Sequence, residues 1–338
     1  MLMLIILSII TTSVIIKFRL PISKKLKIID YPVEKRKIHK LPTPLIGGSI
    51  IITNLILINT YLILKNEITN IDIAILIFCF FSFVIGLIDD IKKISSLNKL
   101  IILGVAYISI GIYDKNLFLT YLYSETLDKF YYIGSFNIFF STLCILLLIN
   151  AFNLIDGLNG LAISIAILWL LFIFNYFENI NNVYFILILT LLIMLPFNLK
   201  GKFFLGDSGS ILIGSFIGIY FTTFYNLEFD IEKNKISLEE IFILFMVPGL
   251  DMFRLFLERI INRKNPFSPD DKHLHHFLMK NFNLKLTLII YLVLITVPII
   301  INYYKLISPS LNIIIIIFIY LTLLSYCKKT IFDKNLKN

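Results

Sequence analysis

The sequence predicts an all-α, polytopic integral membrane helix bundle of about 11 transmembrane helices, N-terminus outside and C-terminus cytoplasmic. Three observations carry this prediction. Of 338 residues 58% are hydrophobic and only 16% charged, with a mean hydropathy of +0.88, whereas soluble domains sit near half apolar and a quarter charged. Apolar runs close to membrane length recur throughout, and lipid admits only helices or closed barrels. The runs are continuous rather than alternating, which excludes a barrel. Finally, Lys and Arg are distributed unevenly between the connecting segments.

The runs centre within residues 2–16, 46–64, 71–88, 99–113, 134–150, 158–177, 183–197, 209–226, 239–256, 286–302 and 310–326. The first has no basic leader and no small-residue cleavage site, so it reads as a span rather than a removed signal. Behind it, Lys17 to Lys40 carries nine Lys and Arg. Placing that segment in the cytoplasm leaves only Lys65, Lys115, Lys129, Lys233, Lys235 and Lys305 of the 31 basic residues outside, which fixes the orientation. The net charge of +9 is then explained by an anionic leaflet and anionic substrates, with no nucleic acid partner. Cys79, Cys144 and Cys327 lie in or beside apolar runs without CxxC spacing and read as packing residues. One domain over residues 1–338 is expected, with a motif-bearing core over about 36–285.

In this orientation five polar clusters fall on the inner face. Arg36 to Pro44 leads into Gly47-Gly48; its prolines and glycines let backbone approach a ligand, and Lys40 and His39 are its anion-contact candidates. Gly86-Leu-Ile-Asp89-Asp90 ends the third run. Two adjacent carboxylates at a helix C-terminus call for a cation, either Lys92 and Lys93, a metal ion, or a proton taken from a substrate. Asn150-Ala-Phe-Asn153-Leu-Ile-Asp156-Gly157-Leu-Asn-Gly160 puts Asn153 and Asp156 one turn apart, so both can face one ligand. Phe203-Phe204-Leu-Gly-Asp207-Ser208-Gly opens the eighth run; a helix N-terminus attracts phosphate, and a carboxylate there suits Mg2+ bridging to substrate oxygens. The last cluster joins Asp251, Arg254, Arg259 and Asn265-Pro-Phe-Ser-Pro-Asp270-Asp271-Lys272-His273-Leu-His275-His276. Without a cysteine or fourth ligand the histidines do not make a zinc site; beside arginines they suit phosphate oxygens. Together these groups describe transfer of a phosphate-linked group between a nucleotide and a lipid. A secondary transporter, the competing reading, predicts mid-span charges and internal repeats, and neither is seen.

The ordered motifs Gly-Leu-Ile-Asp-Asp, Asn-Leu-Ile-Asp-Gly-Leu-Asn-Gly, Phe-Leu-Gly-Asp-Ser-Gly-Ser and His-Leu-His-His resemble the polyprenyl-phosphate N-acetylhexosamine-1-phosphate transferases of glycosyltransferase family 4. The resemblance runs over nearly the whole chain and is nearer the UDP-GlcNAc-using branch, whose His-x-His-His replaces the three consecutive histidines of the peptidoglycan branch. It implies a multi-pass enzyme of the inner (cytoplasmic) membrane with its site on the cytoplasmic face, whose partners are undecaprenyl phosphate and a UDP-N-acetylhexosamine. The reaction releases UMP at the first membrane step of cell-envelope polysaccharide synthesis. The cofactor implied is Mg2+, or Mn2+ in its place; a homodimer is left open. By the same resemblance Asp207 binds the metal with Asn153 as second ligand, and Asp89 and Asp90 orient or deprotonate the lipid phosphate or help hold the metal. Asp156, Gly157 and Phe204 line the nucleoside side, with Asp156 counted as catalytic beside Asp89 and Asp90, while Arg259, His273, His275 and His276 grip the diphosphate. Where many relatives of this branch carry Asp-Arg, this chain has Asp270-Asp271.

Overall fold

The computed structural model describes residues 1–32, 41–177, 182–227, 229, 236–268 and 270–336. Each of the eleven apolar runs is helical. In order they are α1 (Leu2–Lys17), α3 (Gly47–Lys65), α4 (Asn70–Lys92), α5 (Ser96–Tyr113), α6 (Asn137–Ile155), α7 (Leu161–Tyr176), α8 (Phe185–Leu199), α9 (Gly206–Leu227), α10 (Leu238–Ile261), α12 (Leu284–Tyr303) and α13 (Pro309–Leu336). Between the runs lie the short α2 (Arg19–Leu26) and α11 (Leu274–Asn281), a two-residue pairing of β1 (Ile29–Asp30) with β2 (Thr43–Pro44), and a hairpin of β3 (Tyr121–Ser124) with β4 (Lys129–Tyr132).

The helices are not equivalent as spans. Among the described residues seven are long and apolar enough to cross a membrane, and α1 with α2, bent by 70°, would make an eighth. The helices α7 and α8 are apolar but have only 16 and 15 residues, roughly 23 Å of helix against about 30 Å of hydrocarbon. The chain of α10 is long but carries Glu239, Glu240, Asp251, Arg254, Glu258 and Arg259.

Two compact units emerge, one of residues 1–120 with 133–228, the other of 121–132 with 229–338. In the first, α9 is the central helix: nearly all of it is buried, against α3, α4, α6 and α7. Its entry is set by two glycines. A Cβ on Gly86 would lie 2.5 Å from the Asp207 carbonyl oxygen and the Ser208 Cα, so only glycine lets the last turns of α4 touch the first turn of α9. Gly206 has φ +75°, and a Cβ there would meet an Asp90 carboxylate oxygen at 2.8 Å. At its other end α4 starts on a Thr69–Asp72 capping box, with the Tyr184 hydroxyl donating to Asp72 at 2.9 Å.

In the second unit α10 packs on α12 and α13, and α11 on the same two helices. A Ser237–Glu240 capping box starts α10. The carboxylate of Glu239 accepts from the Ser124 hydroxyl at 2.6 Å and from the N–H groups of Glu125 and Thr126 at 3.1 and 3.2 Å, which ties the hairpin turn to α10.

Candidate active site

In the first unit the motif residues Asp89, Asp90, Asn153, Asp156 and Asp207 come together. Asp90 accepts the N–H groups of Asp207 at 2.9 Å and Ser208 at 3.1 Å. The expectation that these N–H groups await a phosphate is therefore corrected: the positive end of α9 is already capped by a carboxylate from α4. Asp89, only 2% exposed, accepts from the Lys99 ammonium at 2.9 Å and from the Ile94 N–H. Lys99 also lies 3.6 Å from the Asp207 carboxylate, and Lys93 lies 3.8 Å from it. The compensating cation of Asp89 is thus Lys99, a residue read from sequence only as a topology charge. Its signal was available: a lysine in the first turn of an apolar helix, close in sequence to two acids.

Asn153, in the last turn of α6, accepts from the Ser210 hydroxyl at 2.5 Å, which seats it on the first turn of α9 beside Asp207. Asp156 caps the C-terminus of α6, makes no side-chain hydrogen bond among the described residues, and is half-buried. Burial, then the charges of Asp207 and Asp90, push its carboxyl well above the ordinary range. Gly157 is exposed in the following turn. Phe204 is fixed through its backbone, donating its N–H to the Pro44 carbonyl at 2.9 Å and bridging Leu45. Lys40 and His39 lie outside the described residues.

Among the described residues the cluster sets four carboxylates, Asp89, Asp90, Asp156 and Asp207, against two ammonium groups, Lys93 and Lys99. Its donors are all hard oxygens, and the Asp207 side chain is 24% exposed. That chemistry fits Mg2+, which is held by one or two carboxylates and completes its shell with water and substrate oxygens. No set of three His, Cys, Asp or Glu side chains converges into a ready cage among the described residues, and Mg2+ does not need one.

In the second unit the organising group is Asp251, 1% exposed. It accepts from Arg254 at 2.9 Å, the Tyr320 hydroxyl at 2.8 Å, the Leu274 N–H at 3.1 Å and the Nδ1 of His273 at 2.8 Å. In the sequence Asp251 stands among the inner-face charges with no role of its own. Arg259 donates through Nε and Nη2 to Asp270, at 3.0 and 2.8 Å, and through Nη1 to the Pro266 carbonyl, so in this conformation it pins the loop. Asp271, the departure noted above, pairs with Lys280 at 2.7 Å, which holds its carboxyl below the ordinary range.

The three histidines stack at the start of α11, with ring centroids 5.5 Å apart for His273–His275 and 4.2 Å for His275–His276. They do not share one environment. His275 is fully buried with neither ring nitrogen hydrogen-bonded, and burial followed by the other two rings pushes its pKa well down. His276 is half-buried and pushed down to about 4, first by burial and then by His273. Both are neutral near pH 7. The free thiols Cys79, Cys144 and Cys327 lie outside both clusters.

Residues 73–225 match the family model described as Glycosyl transferase family 4, and that stretch holds every member of the carboxylate cluster. Over those residues the chain is similar to glycosyl transferase family 4. Among similar proteins, the undecaprenyl-phosphate alpha-N-acetylglucosaminyl 1-phosphate transferase of Thermotoga maritima is 26% identical over 286 residues, covering 84% of this chain and 83% of the relative. The protein of the same name from Escherichia coli K12 is 27% identical, over 80% of this chain and 74% of its own length. A probable undecaprenyl-phosphate N-acetylglucosaminyl 1-phosphate transferase of Bacillus subtilis is 28% identical, over 81% and 76%.

Proposed function

We propose that this protein transfers GlcNAc-1-phosphate from UDP-GlcNAc to undecaprenyl phosphate, releasing UMP, at the cytoplasmic face of the membrane. A phosphate oxygen of the lipid attacks the β-phosphorus, and the bond from that phosphorus to the oxygen bridging to the α-phosphate breaks. One phosphoanhydride replaces another, so the step is near thermoneutral.

The observation that carries this reading is the acid excess built on α4, α6 and α9. When bound, Mg2+ supplies charge neutralisation and Lewis-acid polarisation at the diphosphate, with Asp207 and then Asn153 as its protein ligands. The remaining work belongs to the chain. Asp90 holds the start of α9, and thus Asp207, in place. Asp89 is oriented by Lys99, which also balances charge as phosphate oxygens arrive. Asp156, with no cation of its own among the described residues, is the group in this cluster suited to exchange a proton with the lipid phosphate. The transporter alternative has no support among the relatives, which are named as transferases.

The test is direct: purified protein with Mg2+, undecaprenyl phosphate and radiolabelled UDP-GlcNAc should release UMP and form a labelled lipid, with a panel of UDP-sugars establishing the preferred sugar. Transfer absent for every UDP-sugar, together with solute passage across proteoliposomes, would overturn the reading.

A further inference from the structure

His273, His275 and His276 are spaced like a single binding element, but the structure gives only one of them a charged partner. His275 has no hydrogen bond on either ring nitrogen, and the His276 ring makes none among the described residues. His273 alone faces a carboxylate, with its Nδ1 2.8 Å from an Asp251 oxygen. A carboxylate accepts there, so the ring carries its proton on Nδ1 and leaves Nε2 bare. Nε2 has no partner among the described residues.

We propose that Asp251 is a positioning residue for the transfer reaction, holding the His273 ring in the orientation that turns Nε2 toward a phosphate oxygen of the nucleotide sugar. The proposal rests on the transferase reading above and adds to it a residue and a division of labour among the histidines. In the protonated form Nε2–H donates a hydrogen bond to a phosphate oxygen while the Asp251 charge balances the imidazolium; no proton changes hands. Only 5% of the His273 side chain is exposed, so the contact is a single, largely desolvated hydrogen bond, which is where such bonds are strongest.

The rest of the geometry holds Asp251 still. Its oxygens are fixed by the Arg254 guanidinium, the Tyr320 hydroxyl and the Leu274 N–H, groups drawn from α10, α13 and α11. Arg254 is held in turn by Glu258 at 3.0 Å and the Lys272 carbonyl at 2.6 Å. Neutral His275 and His276 close the other side of the His273 ring without competing for the anion.

The experiment uses full-length enzyme and UMP release. Asp251→Asn, matched in shape, is expected to lose on the order of 10- to 100-fold in kcat, the worth of one hydrogen bond to a charged group. The KM for UDP-GlcNAc should move less than about threefold, because the contact tightens in the transition state. In a His273→Ala background the same substitution should cost no more than about twofold further, since the two residues act as one unit. Additive losses would show that Asp251 serves only as a helix cap, and would overturn the proposal, as would an Asp251→Asn enzyme of full activity. In wild-type enzyme labelled with 15N-histidine, four rings in all, neutral His273 should show a protonated Nδ1 and a bare Nε2. The opposite tautomer would overturn the proposal even if Asp251→Asn did not fold. Wild-type protein that releases no UMP would defeat the transferase reading itself, a failure distinct from an active wild type whose Asp251 variants behave additively.

Discussion

Asp90 and Asp251 do the same local job in different company. Each is a carboxylate that accepts N–H groups at the start of a helix, Asp90 at α9 and Asp251 at α11. Around Asp251 the ledger of charge closes: Arg254, Arg259, Lys272 and Lys280 pair with Asp251, Asp270, Glu258 and Asp271. Around Asp90 it does not among the described residues, because Asp89, Asp156 and Asp207 crowd in with Lys93 and Lys99 against them. A closed network holds a shape, whereas an open one asks for a ligand. The carboxylate cluster is therefore where cation and phosphate chemistry is expected, and the histidine cluster is a rigid support for a single contact.

The sharpest way to break this contrast is Asp207→Asn. Removing this carboxylate should lower UMP release by roughly 1000-fold, the several kcal/mol that a metal ligand contributes, while melting temperature holds or rises because like charges are thinned. A fall in stability with activity intact would put Asp207 among the structural groups instead. Next in size is Lys99→Met. Its side chain is 12% exposed against a 2% exposed Asp89, and stranding that buried anion should cost ~3 kcal/mol, read as denaturant or thermal stability in detergent.

These two residues also show what the sequence could and could not tell. The helices were legible because hydropathy is a local property, and Asp89, Asp90, Asn153, Asp156 and Asp207 stood out because polar groups at the ends of apolar runs are costly. Lys99 did not stand out, because a lysine beside a span has an ordinary topological explanation; only the closeness of α4 and α9, permitted by Gly86, turns α5 and its lysine into part of the site. Asp251 was hidden for a similar reason, its four donors being spread over residues 254 to 320. A hydropathy window sees composition before length, so it counts the short α7 and α8 as spans beside the longer helices. The capture of the 121–132 hairpin by Glu239 has no local sequence signature.

Asp156 gives a smaller effect with a definite sign. In the folded protein it binds a proton that the unfolded chain releases above about pH 4. Its contribution to stability is therefore present at low pH, falls as pH climbs toward the raised folded value, and becomes a cost of buried charge above it. Asp156→Asn should raise the melting temperature by a few degrees at pH 8 and change it little at pH 4; the reverse pattern would mean that a cation already pairs with this carboxyl. Smallest is Glu239→Ala, which frees the hairpin turn. It should cost ~1 kcal/mol of stability, the scale of a lost cap, and leave turnover unchanged in the UMP assay.

The central claim is that the acid excess, and not the histidine loop, is what takes the divalent ion. Binding of Mn2+ as a Mg2+ surrogate, followed by electron paramagnetic resonance on the purified protein with UDP-GlcNAc present, tests it most directly. One bound ion that is lost in Asp207→Ala and retained in His273→Ala is the predicted result. Retention in the Asp207 variant, or loss in the His273 variant, would contradict it.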